Sequence, residues 1–236
     1  MLKKNNKETV VIDLGGSIVF PDFFKINRIF LSKLKIFLEK EIKNKNFIIV
    51  IGGGKFCRFY QNEAKKMGVT NNTDLDWIGI RITQLNAELL KSYFGKLAFP
   101  EIITTEHQKI NWDKGVLLSS GWHPGNSTDL ISFKLAAIHQ AEKIIIATNI
   151  DYIYEEDINI NKNAKKIEKM DWQGYSSLIK TKKWEAGMSI PIDPAASKLG
   201  KKESLNVFLV NGNNFSNLKK AILGEKFKGT VISNNS

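Results

Sequence analysis

The sequence predicts an α/β protein built around a mostly parallel sheet, and three observations predict it. Short apolar runs rich in β-branched residues, such as Thr9–Leu14, Phe47–Ile51 and Lys143–Thr148, have the composition of strands covered on both faces. Long amphipathic segments alternate with these runs, and strand, helix, strand in so compact a length argues for parallel pairing with a right-handed crossover. Several strands also run straight into loops of glycine or hydroxyl residues that open the next helix.

The stretch Phe47 to Arg58, FIIVIGGGKFCR, shows the pattern at its clearest. Five apolar residues are followed by Gly52, Gly53 and Gly54, and Lys55 to Met67 then carries Phe56, Phe59, Tyr60, Ala64 and Met67 at helical spacing. A helix N-terminus offers unpaired N–H groups and a partial positive charge, and residues without side chains let an anion reach the backbone. One glycine would suit a tight turn equally well. Three in a row, followed by Lys55 and Arg58, point to a phosphate site. The spacing is not that of a G-x-x-x-x-G-K-[ST] loop.

Taken in order, Thr9–Leu14 is the first strand and runs into Gly15-Gly16-Ser17, a second strand-to-glycine junction. Phe23 to Lys43 reads as a long amphipathic helix with Ile26, Phe30, Leu34, Phe37 and Leu38 on one face, and leads into the strand Phe47–Ile51. Asp74 to Phe94 is the next long helix, capped by Thr73 or Asp74, with Asp76 in its first turn. Two short strands, Leu97–Phe99 and Ile102–Thr104, follow. Val116–Ser119 is a strand that ends in Ser120 to Asp129, SGWHPGNSTD, a segment dense in turn residues and hydroxyls that opens a helix over Leu130–Gln140. The strand Lys143–Thr148 leaves Thr148-Asn149-Ile150-Asp151 at its C-terminal end, the edge where open α/β sheets bind ligands. The polar stretch to about Lys169 reads as a loop or hairpin and Asp171–Lys180 as a helix. Gly187–Pro191 is a loop, and Asp193-Pro194 supplies an N-cap and a first-turn proline for the helix Pro194–Lys202. Leu205–Val210, Phe215–Leu223 ended by Gly224, and Thr230–Ile232 are strand, helix and strand.

The 236 residues suffice for one substantial core and show no internal repeat or clear linker, so one large α/β domain or two lobes both fit. The net charge of +11 could mark a nucleic-acid surface, but the lysines are spread among Asn, Glu and Asp with no aromatic-spaced stripe, so no specific nucleic-acid partner is expected. A single cysteine, Cys57, excludes an internal disulfide and reads as a small apolar helix residue. No apolar run reaches the length of a membrane span and the start MLKKNNKE is no signal peptide, so a cytoplasmic protein with no membrane partner is expected.

The loops supply donors for several phosphates, and the excess of Lys and Arg suits negative charge. No His/Cys cluster offers a zinc site, and no Ser-His-Asp set stands out. Asp13, Asp129, Asp151 and Asp157 could bear on Mg²⁺ or on lysine orientation; spacing does not choose among them, and no metal ligand is assigned. On the residues alone, the chain is a phosphate-handling α/β protein.

VVIDLGGSI, VIGGGKFCRFY, DWIGIRITQLNAELL, GWHPGNSTD, ATNIDYIYEED and IDPAASK occur in the order found in the amino-acid-kinase-fold family. Within that family, the chain resembles the archaeal-type UMP kinases over nearly its whole length, Thr9 to Ile232. The resemblance implies a single domain over 1–236, a three-layer αβα sandwich with an acceptor-binding part at roughly 9–140 and an ATP-binding part at roughly 141–232. It implies transfer of the γ-phosphoryl group of ATP, with Mg²⁺, to UMP to give UDP in pyrimidine nucleotide biosynthesis, by a homo-oligomer, usually a hexamer. Two alternatives stay open: a kinase of this fold with another phosphate, carboxylate or carbamate acceptor, or a non-catalytic protein that binds or stores a nucleotide or oxyanion.

Carried over by position, the resemblance puts Gly16 and Ser17 at the ATP phosphates, with Gly54 and Arg58 on the ATP side and Gly53 at UMP. Asp76 matches the acidic residue that meets the UMP ribose, and Trp122, His123, Pro124, Gly125, Asn126, Ser127 and Thr128 match the loop over UMP. Thr148, Asn149, Tyr154 and Asp157 match the ATP base and ribose region. Lys198 resembles the lysine that supports the moving phosphoryl group, and Asp129 the aspartate that orients such groups. Asp13 stands where many kinases of this fold have a lysine. Tyr152 replaces a glycine, Ile158 replaces a proline, and Trp122 is bulkier than the threonine or glutamine expected there.

Overall fold

The strands expected from the apolar runs assemble into one sheet. The computed structural model describes residues 7–106, 110, 112, 115–156, 158, 161–179 and 191–234. Its strands are β1 (Glu8–Leu14), β2 (Lys45–Ile51), β3 (Ala98–Ile103), β4 (Val116–Ser119), β5 (Lys143–Thr148), β6 (Ile153–Tyr154), β7 (Lys166–Ile167), β8 (Lys169–Met170), β9 (Val207–Asn211) and β10 (Thr230–Ile232). Eight of them form a sheet in the order β3-β4-β2-β1-β5-β9-β10-β8, while β6 and β7 pair as a separate antiparallel ribbon. From β3 to β9 every pairing is parallel; only β10 runs antiparallel to β9.

The helices are α1 (Gly16–Val19), α2 (Arg28–Glu41), α3 (Gly54–Lys66), α4 (Asn72–Phe94), α5 (Thr128–His139), α6 (Trp172–Leu178), α7 (Pro194–Lys202) and α8 (Phe215–Leu223). Strand alternation divides the core in two. Val10, Ile12, Leu14, Phe47, Ile49 and Ile51 face α2, α4 and α8, whereas Val11, Ile48 and Val50 face α5, α6 and α7. Helices therefore cover both faces of the sheet, as the expected αβα sandwich requires.

Several local expectations are corrected. The helix expected over Phe23–Lys43 begins only at Arg28, because Asn27 caps it by accepting from Phe30 N at 3.1 Å; Phe23 and Phe24 lie exposed before it. The long fourth helix starts before Asp74, because the Asn71 side chain accepts from Thr73 N at 2.9 Å. Asp76 is thus a full turn inside the helix. The two strands expected around Pro100 are one edge strand, β3, with a register shift between Ala98 and Ile102 where proline is tolerated. The apolar spacing of Lys55–Met67 does mark a helix, but α3 packs against α1 and α4 rather than the sheet, and Phe59, Tyr60 and Met67 stay exposed.

Candidate active site

The C-terminal ends of β1, β2 and β5 meet at the two glycine junctions. Gly52 N donates to Leu14 O at 3.0 Å and Gly15 N to Ala147 O at 2.9 Å, so each turn is tied to the neighbouring strand. A Cβ on Gly16 would lie 2.1 Å from Gly54 N and 2.6 Å from the Gly52 carbonyl, so the turns pack backbone on backbone. Gly54 has φ +70°, open to glycine at little cost. α3 starts there with no side-chain cap, leaving its first N–H groups for a ligand.

A cavity of about 490 Å³ lies over these turns. Its wall continues through Cys57, Arg58 and Gln61 on α3, Asp76 and Thr83 on α4, the 126–129 loop, and Thr148 and Asn149 at the end of β5. α4 fixes both neighbouring loops. Asn86 Nδ2 donates to Gly52 O at 3.0 Å, Thr83 Oγ1 accepts from Gly121 N at 2.8 Å, and Asp76 Oδ2 accepts from Gly125 N at 2.8 Å.

Asp13, Asp129 and Asp193 bring three carboxyl groups to the same wall. Alternation along β1 turns Asp13 to the α5 side with Val11, between Val50 and Ile146 of the adjoining strands. It is 3% exposed, and its Oδ2 has no hydrogen-bond partner. Burial pushes its pKa up to about 7; nearby Ser132 and Asp129 oppose that rise, and the charge of Asp193 adds to it. Burial, then the charges of Asp13 and Asp193, hold Asp129 well above the ordinary carboxylate range, against the Asp193 N–H that it accepts at 3.0 Å. Asp193 is fully used: its Oδ1 accepts from Ala195 N and Ala196 N at 2.7 and 2.9 Å, capping α7, and its Oδ2 accepts from the Ser127 hydroxyl. Among the described residues, no group of three or more His, Cys, Asp or Glu side chains is placed to cage a metal. Burial pushes the Cys57 thiol up to about 11, so it stays protonated and acts as packing.

A model of the amino acid kinase family matches residues 8–211. The chain belongs to that family. A uridylate kinase of Pyrococcus abyssi is 33% identical over 225 residues, covering 94% of this chain and 98% of the relative. A uridylate kinase of Methanosarcina mazei is 34% identical over 230 residues, covering 95% of each. Among solved structures, a uridylate kinase from Archaeoglobus fulgidus superimposes with a TM-score of 0.74 at 27% identity, over 95% of this chain and 99% of that one. The UMP kinase of Ureaplasma parvum, with a TM-score of 0.76 over 96% and 99% at 20% identity, shares the fold.

In this amino acid kinase chain, twelve positions carried over from the resemblance line the cavity: Gly16, Ser17, Gly53, Gly54, Arg58, Asp76, Asn126, Ser127, Thr128, Asp129, Thr148 and Asn149. Others do not. Trp122 is 3% exposed and turns into the core, where its Nε1 donates to Ser119 Oγ at 3.1 Å and Ile103 O at 3.3 Å. His123 is exposed beside Asn126, Pro124 is off the wall, and Gly125 bears on the site through its N–H to Asp76. Tyr154 sits on β6 against Tyr152, and Lys198 is exposed on α7, both away from the cavity. Asp157 lies outside the described residues. Arg58, carried over to the ATP side, stands close enough to Cys57 to act on its thiol, as does Asp76. Sequence reasoning left Asp13 unassigned and read Asp193 only as a cap; a carboxylate in the middle of TVVIDL was the available signal.

Proposed function

We propose that this chain is an ATP-dependent UMP kinase. An oxygen of the UMP phosphate attacks the γ-phosphorus of ATP, the bond to the β–γ bridging oxygen breaks, and UDP and ADP leave. The observation that carries the reading is the single cavity in which two glycine turns, packed backbone on backbone, face the 126–129 loop. The uridylate kinases of similar sequence support UMP as acceptor. The acceptor phosphate is already ionised at neutral pH, so the protein needs to position and neutralise rather than supply a base. Gly16, Ser17 and Gly54 are the phosphate cradle of ATP, and Thr148 and Asn149 reach its ribose and base. Gly53, Asp76, Asn126, Ser127 and Thr128 hold UMP, with Asp76 also bracing the loop through Gly125 N. Asp129 orients the reacting groups, while the role of Lys198 rests on the resemblance alone. The acceptor-binding half is 9–140 and the ATP-binding half 141–232 of one domain.

Mg²⁺ is the cation proposed to accompany ATP. The carboxylate oxygens of Asp13 and Asp129 are the hard donors it prefers, and the unpartnered Asp13 Oδ2 fits such a group. When bound, the ion supplies charge neutralisation for the phosphates. Trp77, Leu85, Leu89 and Tyr93 leave an exposed apolar stripe down α4, which supports association with further copies of the chain, as a hexamer. No helix among the described residues is long and apolar enough to cross a membrane, in keeping with a cytoplasmic enzyme. The test is ADP release from ATP and Mg²⁺ with a panel of nucleoside monophosphates and small acids. UMP should be the preferred acceptor and UDP the product; preference for any other acceptor, or none, rejects the reading.

A further inference from the structure

We propose that Gln61 shares the acceptor's ribose with Asp76 and makes the site select a ribonucleotide over a deoxyribonucleotide. This role rests on the UMP kinase reading and belongs to a residue that the resemblance leaves unassigned. Gln61 lines the cavity from α3, together with Cys57 and Arg58. Those two lie four and three residues before it, so the three share one face of the helix. The helix starts at the glycine turn, whose free N–H groups suit a phosphate. Gln61 stands roughly 10 Å further along the axis, where the sugar of a nucleotide held by its phosphate would lie.

The side-chain amide of Gln61 rests on the same patch of α4 as Asp76. A Cβ on Gly79 would lie 3.0 Å from Gln61 Nε2 and 3.3 Å from Cys57 Sγ, so the missing side chain makes room for the amide. Gly79 comes three residues after Asp76, one turn along the same helix face. Gln61 Nε2 also donates to the carbonyl of Leu75, the residue before Asp76, at 3.0 Å. Two contacts, one on either side of Asp76 in the helix, thus set the amide beside that carboxylate.

The bond to Leu75 also fixes which end of the amide is free. A backbone carbonyl only accepts, so the nitrogen faces it and Oε1 faces away. Among the described residues, none donates to Oε1. Asp76 uses Oδ2 to accept from Gly125 N, which leaves Oδ1. The wall therefore holds two neighbouring acceptors, Gln61 Oε1 and Asp76 Oδ1. A ribose presents two vicinal hydroxyls, each a donor, and satisfies both; a 2′-deoxyribose satisfies one. A small phosphate or carboxylate, ionised at neutral pH, would bring a donor to neither.

Gln61→Met, close in shape and without hydrogen-bonding amide atoms, is compared with wild type on UMP and 2′-deoxy-UMP. Turnover is measured with ATP and Mg²⁺, and binding by calorimetry without ATP. Wild type should favour UMP by about ten-fold in kcat/KM, the scale of one hydrogen bond. In Gln61→Met that preference should shrink to within about three-fold, through a loss on UMP with the deoxynucleotide little changed. A residue that only clamps α3 to α4 would cost both acceptors equally. Equal losses, an undiminished preference, or a wild type that takes both acceptors alike therefore overturns the proposal. Should the variant fail to fold, the wild-type side-chain amide resonance of Gln61 decides: a larger shift with UMP than with 2′-deoxy-UMP supports the contact, and equal shifts reject it. UDP formation separates this role from the kinase reading. A Gln61-dependent difference in binding without any UDP would reject the kinase and leave the ribose contact standing; UDP formed without discrimination would do the reverse.

Discussion

Replacing Gly16 by alanine tests whether the two glycine turns act as one device. The new Cβ would sit 2.1 Å from Gly54 N, and the atoms it meets belong to backbone, which cannot rotate away as a side chain can. Reaching an ordinary contact of about 3.5 Å means opening the junction by more than about 1 Å. Such overpacking costs about 1–3 kcal/mol, which for a chain of this size lowers Tm by about 5 °C. The catalytic effect should be larger than the loss of stability suggests, because a displacement of about 1 Å in a positioning element costs about 100-fold in rate. Gly68→Ala is the control. Gly68 has φ +91° with nothing within 4 Å of its Cβ position, so alanine there brings strain of roughly 1 kcal/mol and no contact with the site. Steady-state kinetics with ATP and UMP, beside thermal melts, separates the two. A Gly16→Ala enzyme with kcat within about three-fold of wild type, or a Gly68→Ala enzyme equally impaired, would refute the coupling of the turns to phosphate placement.

Asp76→Ala removes both a cavity carboxylate and the acceptor of Gly125 N–H, so the KM for UMP should rise about ten-fold or more while that for ATP barely moves; equal effects on both would mean a purely structural role. Lys198→Ala sets the resemblance against the geometry: an exposed lysine off the cavity wall should leave kcat within a small factor, and a fall by orders of magnitude would show that α7 moves to bring it in. Burial pushes Glu8 up, but hydrogen bonds and charge from Lys143 and Lys45 outweigh it and hold its carboxyl below the ordinary glutamate value of 4.5. Its stabilisation is therefore full above that value and lost as pH falls through the lower folded pKa. Glu8→Gln should cost about 1 kcal/mol near neutrality, solvent screening of this partly exposed carboxylate being allowed for, and progressively less in acid, read as converging melting temperatures; a gap that widened in acid would contradict the sign.

The sheet was legible because strands buried on both faces are continuous apolar runs, and β1, β2, β4 and β5 are such runs. Helix periodicity tells less. It shows that a helix has an apolar face, not what covers that face, and α3 is the example: Phe59 and Tyr60 are spaced like core residues yet lie on the surface. Likewise, the aromatic Phe23 and Phe24 look like a continuation of α2 until the Asn27 cap is seen. The glycine turns were legible as glycine runs, and the structure shows why glycine is needed: at Gly15, Gly16, Gly52 and Gly54 a side chain would strike backbone, and at Gly53 it would strike Cys57. Trp122 was not, since nothing local says which side chain of a turn-rich loop folds inward.

Asp13 shows where a linear reading stops and why the three-dimensional one adds something. Its neighbours in TVVIDL announce a buried strand, so a carboxylate there is an anomaly visible in the sequence. What the anomaly is for depends on parity and packing. Had β1 been shifted by one residue, Asp13 would face α2 and α8 in a wholly apolar layer. In the observed register it faces α5, where Asp129 stands in the first turn behind the Ser127 cap, and α7, whose N-cap is Asp193. Three carboxyls from distant parts of the chain thus converge on one side of the glycine turns. Burial raises the pKa of both Asp13 and Asp129 and the charge of Asp193 adds to each rise, while Asp129 opposes the rise at Asp13. The same register that builds the hydrophobic layer therefore fixes where these carboxyls stand beside the two glycine turns.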